Sequence, residues 1–360
     1  MASFTIPSGA VAEVSIIDSG ARMTGLPTAA LLTPEVKSFQ IFPPLASYSF
    51  LIKSLSGKKA LFDLGFPIEL GNCPPLIQQQ LEAMGCAITG NETVPHVLKE
   101  SGIGVDEIES VIWSHHHWDH TGDIRVFPSS TEVVVGPGFS ASYLPGYPAD
   151  IESHLDESYT INRSVREVTF EGDGIIKIGQ FNAYDFFSDG SFYLLDTPGH
   201  ATGHLAGLAR TSTSPDTFIL MGGDLSHHAG EIRPSADVHI PEDVKPHLNK
   251  ALPPHLECCL TGQMFRDLHA RNGRKPGEAF FDAVLVEDEV AAASTINGTQ
   301  TFDAEANIYV ILAHDVSLRD SIEVFPQTAN DWKKKGWKDQ TRWRFLSDLA
   351  TAAADDQKCE

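Results

Sequence analysis

The sequence predicts a mixed α/β (α+β) fold, and three observations support this class. Short runs rich in β-branched and aromatic residues alternate with turns in the first hundred residues and again in the middle of the chain. Two helical patterns that end at a glycine lie between these regions. No repeat, low-complexity linker or sharp change of composition divides the 360 residues, so we expect a single domain over residues 1–360.

The first part of the chain is predicted to form three strands, two helices and a further strand. The dipeptide Ser56-Gly57 favours a hairpin turn between the second and third strands. Gly85 and Gly102 each stop a helical pattern. The segments are, in order, VAEVSIID (11–18), YSFLIKS (48–54), GKKALFDLGF (57–66), PLIQQQLEAMG (75–85), TVPHVLKESG (93–102) and IESVIWS (108–114).

The middle of the chain is predicted to be rich in strands, because apolar runs recur there with turn residues between them. The predicted strands are TEVVVGPG (131–138), REVTF (166–170), IIKIGQFNAYDFF (175–187), SFYLLDTPG (191–199), HLAGLART (204–211) and TFILMGGD (217–224).

The last third of the chain changes character. Residues 226–281 are irregular and then helical, with a helix expected over residues 255–273. The run ANIYVILAHD (306–315) has β-branched residues and is too short for a core helix, which predicts a buried strand. The C-terminal tail, residues 327–360, is predicted to be helical, with tryptophans that dock on the body of the protein.

Composition limits the classes of partner. The formal net charge is -22, from 48 acidic and 26 basic residues, and such a field repels nucleic acid and anionic lipid. No basic leader and no apolar run of membrane length is present, so we expect no membrane association and a cytoplasmic location. The five cysteines have no CxxC spacing, which is typical of free thiols in a reducing compartment.

The stretch SHHHWDH, residues 114–120, carries the strongest chemical signal. His115 and His117 lie two positions apart where a strand ends, so extended backbone directs both side chains to one face. His116 then points the other way. If a helix starts next, Asp119 and His120 approach the same place from a second direction. These nitrogen and oxygen donors suit divalent metal ions.

Three later strands end in residues of the same chemical type. His200 follows Pro198-Gly199, Asp224 follows two glycines, and His314 follows the last predicted strand. We expect one ion on His115, His117 and His200 and a second ion on Asp119, His120 and His314, with Asp224 between them. Each ion keeps an open position, which is typical of a catalytic site.

Two ions roughly 3.5–4 Å apart could share a water and lower its pKa to about 7. Hydrolysis by the resulting hydroxide is the expected chemistry. Two Zn²⁺ per chain are predicted, although manganese, iron and cobalt accept the same ligands.

The motif HxHxDH, followed by TPGHxxGH, a GGD aspartate and a late strand ending in histidine, resembles the metallo-β-lactamase-fold hydrolases. The motifs span residues 45–315 in the order of that family. The resemblance implies a four-layer αββα sandwich with a dinuclear site at one edge of two sheets. The complete His/Asp set is similar to that of lactonases and of fungal lactamase-like enzymes, among them a γ-lactamase that opens benzoxazolinones.

The resemblance implies a metal-dependent hydrolase that opens a lactone, γ-lactam or cyclic carbamate, with a small molecule as substrate. Asp119 is expected to protonate the leaving group. The alternatives are a thioesterase of the glyoxalase II type and a persulfide dioxygenase with a single iron, which the complete second ligand set disfavours. The oligomeric state stays open, with a homodimer as one option, and segment 226–281 is expected to form a helical insertion over the site.

Some neighbouring residues have expected supporting roles. Similar lactonases carry a substrate-contacting tyrosine three residues after the bridging aspartate, and this chain has His227 there, which is therefore a catalytic candidate. Its neighbour His228 is equally open to a substrate-facing or a loop role. Asp63 lies where the family has an aspartate that braces the motif, and His204 is expected to orient or pack beside His200.

Overall fold

Two six-stranded sheets form the centre of the protein. The computed structural model describes residues 4–67, 69–90, 92–249, 252 and 259–355. The sheets face each other, and helices cover their outer faces. This is the αββα arrangement expected for the fold class, and the prediction is confirmed.

The described strands are short, from two to nine residues. In chain order they are β1 (Glu13–Ile17), β2 (Arg22–Thr24), β3 (Leu32–Thr33), β4 (Ser49–Lys53), β5 (Lys59–Phe62), β6 (Ala87–Thr89), β7 (Ser110–Ile112), β8 (Glu132–Val135), β9 (Val165–Glu167), β10 (Ile175–Ile178), β11 (Phe181–Asp185), β12 (Phe192–Asp196), β13 (Leu205–Thr213), β14 (Asp216–Met221), β15 (Asp282–Ala283) and β16 (Ile308–Ile311).

The α-helices in the described part of the chain are mostly short as well. They are α1 (Pro75–Met84), α2 (Val94–Glu100), α3 (Trp118–Thr121), α4 (Phe139–Tyr143), α5 (Gly262–Arg271), α6 (Glu289–Ala304), α7 (Trp337–Thr341) and α8 (Ala350–Ala354). A helix that crosses a membrane needs a longer apolar run than any of these provides.

The first sheet has the strand order β1-β4-β5-β7-β8-β9, and the second has the order β10-β11-β12-β13-β14-β16. In the first sheet β1, β4 and β5 pair antiparallel, and the following strands pair parallel to β5. The second sheet is antiparallel except for the parallel pair of β14 and β16. The hairpin of β4 and β5 turns at Ser56-Gly57 as predicted.

The main core lies between the two sheets. Phe50, Phe62 and Val134 of the first sheet contact a cluster that includes Phe192 and Ile219 of the second sheet. The other face of each strand packs outward, since side chains alternate across a strand. Helix α2 covers the first sheet and helix α6 covers the second.

A separate apolar cluster lies outside this sandwich, and we call it the cap. It joins residues 21–45, helix α1, residues 238–248 and 260–281, and the end of the tail from Trp343 to Ala353. The described residues 238–248 and 260–281 therefore pack with segments from both ends of the chain. Trp332 and Trp337 of the tail are buried against the core between the sheets, and Trp343 is buried in the cap.

The structure differs from the sequence predictions in several elements. The strand predicted at 175–187 is two strands, because the chain turns at Gly179, where φ is +59°. The tail forms α7, a 3-10 helix (Arg344–Leu349) and α8 in place of one continuous helix. Helix α6 was not predicted. The expected helix at 255–273 begins at Gly262 within the described residues, and residues 253–258 lie outside them.

A buried ion pair ties the insertion to helix α6. Arg233 and Asp303 are 3% and 1% exposed, and two parallel hydrogen bonds of 2.9 and 2.8 Å join the guanidinium to the carboxylate. Burial alone would raise the pKa of the Asp303 carboxyl, but Arg233 and the neighbouring Arg342 and Lys338 hold that pKa below its usual range.

The substitution Asp303→Ala should strongly destabilise the protein, because it leaves the Arg233 charge buried without a partner. We expect the free energy of unfolding, measured by urea denaturation, to fall by about 3–5 kcal/mol. The control Glu323→Ala removes an exposed partner of Lys335 and should change that free energy by less than about 1 kcal/mol. Similar losses in both variants would contradict this account of the pair.

Candidate metal centre

The candidate site lies where strands from both sheets end. His115 follows β7, while His200, Asp224 and His314 follow β12, β14 and β16. Strands β12 and β14 run in one direction because each pairs antiparallel with β13, and β16 pairs parallel with β14. Their carboxyl ends therefore meet at a single edge of the second sheet.

The loop of residues 114–121, which we call the motif loop, joins the two sheets at this edge. The carbonyl of Ser114 accepts a hydrogen bond of 2.8 Å from Leu205 of the second sheet, and the carbonyl of His120 accepts one of 2.8 Å from Leu64. Gly223 has a φ of +53°, and a Cβ there would lie 2.8 Å from the Ser114 side chain. Glycine at 223 thus allows the Asp224 backbone to approach the motif loop.

The first group of ligand atoms surrounds one point. Nε2 of His200 lies 3.1 Å from Nε2 of His115 and 3.1 Å from Nδ1 of His117. Oδ2 of Asp224 lies 3.9 Å from the same His200 nitrogen. One ligand atom from each of these four residues lies within 4.8 Å of the others, a spacing that can hold a metal ion.

The second group shares Asp224 with the first. Oδ1 of Asp224 lies 3.2 Å from Nε2 of His120 and 3.2 Å from Nε2 of His314. Oδ2 of Asp119 lies 3.4 Å from Nε2 of His314 and 4.0 Å from Nε2 of His120. The structure therefore brings together all seven residues that the sequence grouped, in the same two sets.

The donor atoms of this cluster suit a cation. Nε2 of His120 and Oδ1 of Asp224 are buried and have no hydrogen-bond partner, although they lie only 3.2 Å apart. Buried polar atoms without partners are costly and rare in proteins. Imidazole nitrogens and carboxylate oxygens around one point are the ligands that zinc and similar divalent ions prefer.

Hydrogen bonds to backbone carbonyls fix which nitrogen of His200 and of His314 faces the centre. Nδ1 of His200 lies 3.1 Å from the Leu285 carbonyl, and Nδ1 of His314 lies 2.6 Å from the Ala46 carbonyl. A carbonyl oxygen only accepts, so these Nδ1 atoms carry the protons. The Nε2 atoms are thereby left with lone pairs for a metal ion.

Asp63 holds both the motif loop and His120. Its Oδ1 accepts from the Ser114 amide at 2.7 Å, and its Oδ2 accepts from the Ser114 hydroxyl at 2.8 Å. The same Oδ2 lies 2.9 Å from Nδ1 of His120, which leaves Nε2 of His120 directed at Asp224. The structure thus gives Asp63 the bracing contacts that the sequence predicted.

The first histidine group favours the neutral imidazole. Burial lowers the pKa of His115 and of His200 well below the usual value, and nearby imidazoles add to the effect. Burial also lowers the pKa of His117 to about 4. Neutral imidazole is the form that ligates metal.

The second group attracts positive charge. Burial alone would lower the pKa of His120, but Asp224 and Asp63 raise that pKa well above its usual value. Burial also opposes protonation of His314, yet the carboxylates of Asp224 and Asp119 raise its pKa to about 10. A divalent ion would replace these protons.

Other histidines near the centre have separate contacts. His116 points away from it, as predicted, and stacks on Tyr143 with ring centroids 3.8 Å apart. His204 accepts from the Asp224 amide at 3.2 Å through Nε2, so it orients Asp224 as well as lying beside His200. The His228 ring faces the cap, where its centroid lies 5.4 Å from that of the Phe281 ring. It makes no contact with the candidate metal ligands.

A cavity of about 400 Å³ opens onto the cluster, and its walls are mainly apolar. Trp118 of the motif loop contributes to the wall. Gln80, His154 and His227 add polar groups beside the candidate ligands. The apolar lining residues are Met23, Leu26, Ala30, Leu31, Leu45, Ile77, Leu81, Ala83, Met84, Trp118 and Leu285.

Sequence reasoning missed several residues around the site. Glu231 contacts His227, and His154 lies 3.3 Å from His116 and lines the cavity. Both lie in irregular segments with no periodicity or motif, so no sequence signal distinguished them.

Asp315 follows His314 directly, yet its carboxylate accepts from the Ser317 amide and makes no contact with the cluster.

An αββα sandwich with a buried His/Asp cluster between the strand ends of both sheets defines a metal-dependent hydrolase that binds divalent ions. Residues 42–257 match the model of the metallo-beta-lactamase superfamily, and the chain belongs to that family. The family and fold predicted from the motifs are confirmed.

Relatives extend the match over nearly the whole chain. The gamma-lactamase FDB1 of Fusarium pseudograminearum (strain CS3096) is 37% identical over 352 residues, which cover 95% of this chain and 83% of the relative. The metallo-hydrolase mfmC of Annulohypoxylon moriforme is 39% identical over 355 residues, which cover 96% and 90%.

The solved structure of a B. thuringiensis AiiA mutant, with N-decanoyl-L-homoserine bound at its active site, has a similar fold. It gives a TM-score of 0.57 at 18% identity and covers 89% of this chain and 100% of that chain. At this identity the likeness concerns the fold alone.

The substitution Asp63→Asn should weaken metal binding, because asparagine has one acceptor oxygen in place of two. With that oxygen on the Ser114 amide, the NH₂ group replaces Oδ2 and cannot accept from Nδ1 of His120. We expect zinc affinity, measured by competition with a chelator, to fall about 10- to 100-fold. The control Asp315→Asn changes a carboxylate that is next to a candidate ligand in sequence but bonded to Ser317. It should leave the affinity unchanged, and equal losses in both variants would contradict the bracing role.

Metal binding should release protons, because ligating imidazoles must be neutral and the pKa of His120 and of His314 is raised in the ion-free protein. Below the His314 pKa of about 10, protons compete with the metal. Zinc affinity should therefore increase with pH, by about tenfold per unit for each proton displaced. Calorimetry at several pH values, in buffers of different ionisation enthalpy, measures both effects. An affinity that does not change with pH would contradict the assignment.

Proposed function

We propose that this protein is a metal-dependent hydrolase that opens a cyclic ester or amide: a lactone, a γ-lactam or a cyclic carbamate. The observation that carries the proposal is the position of Asp224 between two groups of ligand atoms. One of its oxygens is 3.2 Å from both His120 and His314, and the other is 3.9 Å from His200. A carboxylate in this position can bridge two ions.

Two zinc ions would occupy the two groups. The first ion would have His115, His117 and His200 as ligands, and the second would have Asp119, His120 and His314. Asp224 would bridge them. Protein ligands then leave room for water and substrate at each ion, as in catalytic sites.

Such ions, when bound, would lower the pKa of a bound water to about 7 and would polarise a substrate carbonyl. The residues of the chain supply the remaining functions. Asp119 lines the cavity and makes its closest cluster contact, 3.4 Å, with His314. Its other oxygen could take the proton that the attacking water loses and deliver it to the leaving alkoxide or amide nitrogen. His227 also lines the cavity, where its ring can contact the substrate.

The cavity supports a small, largely apolar substrate. Aliphatic side chains from helix α1 and residues 23–45 line its wall and offer an apolar surface to the substrate. The net charge of -22 disfavours nucleic acid as substrate. The gamma-lactamase relative, at 37% identity, supports a ring-opening hydrolase over a thioesterase.

The purified protein should contain about two zinc ions per chain and hydrolyse a lactone, a γ-lactam or a cyclic carbamate faster than a thioester. Elemental analysis and a substrate panel measure this. The substitution His120→Ala should lower the zinc content and reduce kcat by about 100-fold or more, since Lewis-acid assistance contributes several kcal/mol.

His239→Ala, which removes an exposed histidine that belongs to none of the candidate metal groups of the described residues, serves as the matched control and should change neither value. Faster hydrolysis of the thioester would support the glyoxalase II type instead. One iron per chain with uptake of oxygen would overturn the hydrolase proposal.

A further inference from the structure

The ring of His227 has an unusual position in the cavity. The residue is only 2% exposed, and neither ring nitrogen has a hydrogen-bond partner. Its Nε2 lies 3.9 Å from Oδ2 of Asp224, and its ring centroid lies 4.8 Å from that of His200. A buried imidazole without partners beside the candidate metal ligands is positioned to contact a molecule that enters the cavity.

Glu231 lies behind His227. Both oxygens of its carboxylate are 3.3 Å from the His227 amide, which donates to them, and Oε1 is 3.5 Å from Nδ1 of the ring. Glu231 is 1% exposed. In the part of the chain that the structure describes, its carboxylate forms no ion pair with lysine or arginine. Burying such a group is costly, and its polar contacts are with His227.

The adjacent residue forms a similar pair that faces the other way. Nε2 of His228 lies 3.3 Å from Asp348 of the tail, and its Nδ1 accepts from the Gly230 amide at 3.0 Å. The His228 ring is surrounded by phenylalanines of the cap, including Phe281 and Phe345. The chain thus offers two neighbouring histidine–carboxylate pairs, of which only the His227 pair faces the cavity.

We propose that Glu231 is a positioning residue for His227. Its carboxylate faces Nδ1 of the ring and accepts a hydrogen bond from the N–H there, so that Nε2 is presented to the substrate. The inference rests on the proposed function, because it concerns the same cavity. It says that Glu231 sets the orientation of the His227 ring, which faces the substrate.

The substitution Glu231→Gln tests this role. Glutamine offers one acceptor oxygen in place of two and carries no negative charge, so it holds the Nδ1–H group more weakly than the carboxylate does. For the best substrate of the wild-type protein, we expect kcat to fall about 10- to 100-fold through loss of orientation, with little change in KM. In the His227→Gln background the same substitution should have no further effect, because Glu231 acts through His227.

Nitrogen NMR of protein labelled with ¹⁵N-histidine gives a readout that does not depend on turnover. The His227 signals are identified by their loss in His227→Gln. In the wild-type protein we expect a proton on Nδ1, and in Glu231→Gln a changed distribution between the two nitrogens. The wild-type spectrum tests the contact even if a Glu231 variant fails to fold.

Asp348→Asn is the matched control, since it removes the carboxylate of the neighbouring pair. It should alter the His228 signals and leave kcat and the His227 signals unchanged. An equal loss of kcat from Glu231→Gln with and without His227 would overturn the inference, as would an Nδ1 of His227 that carries no proton. If the zinc-loaded wild-type protein hydrolyses none of the panel, the proposed function fails, while the NMR result still decides the Glu231 contact.

Discussion

The buried carboxylate of Asp224 is the group on which the rest of the site depends. It lies among imidazoles from both ligand groups, and its Oδ1 has no hydrogen-bond partner. A buried carboxylate requires nearby positive charge, either as protons on His120 and His314 or as metal ions. Its position is set by the backbone, because Gly223 lies against Ser114 and the Asp224 amide donates to His204. The backbone therefore holds Asp224 among the candidate ligands.

The fold supplies this arrangement through strand direction. Strands β12, β14 and β16 end at one edge of the second sheet, and β7 ends opposite them in the first sheet. The motif loop then bonds to both sheets through the carbonyls of Ser114 and His120. Residues that are far apart in sequence therefore become neighbours, and their short side chains are enough to bring the ligand atoms together. The cap adds what the sandwich lacks, namely an apolar wall beside the polar cluster.

Much of this site was predictable from sequence, because each ligand type stands where an apolar run stops. The motif at 115–120, together with His200, Asp224 and His314, needed only strand patterns and donor chemistry. Other features leave no such signal. Helix α6 is rich in small and β-branched residues and packs through Gly298 and Phe302, so its tertiary contacts outweigh a weak helical pattern. Glu231 lies in a 3-10 turn that has no periodicity.

Position 227 shows why comparing a single residue with its counterpart in similar lactonases is not enough. A tyrosine offers one polar atom at the end of a long ring, and that atom can serve the substrate directly. An imidazole offers two nitrogens, and the nitrogen that turns away from the substrate also needs a partner when it is buried. Glu231, one turn further along the chain, faces that nitrogen. On this reasoning, the replacement of tyrosine by histidine at position 227 also involves position 231. The buried carboxylate of Glu231 faces Nδ1 of the ring, and this directs Nε2 into the cavity.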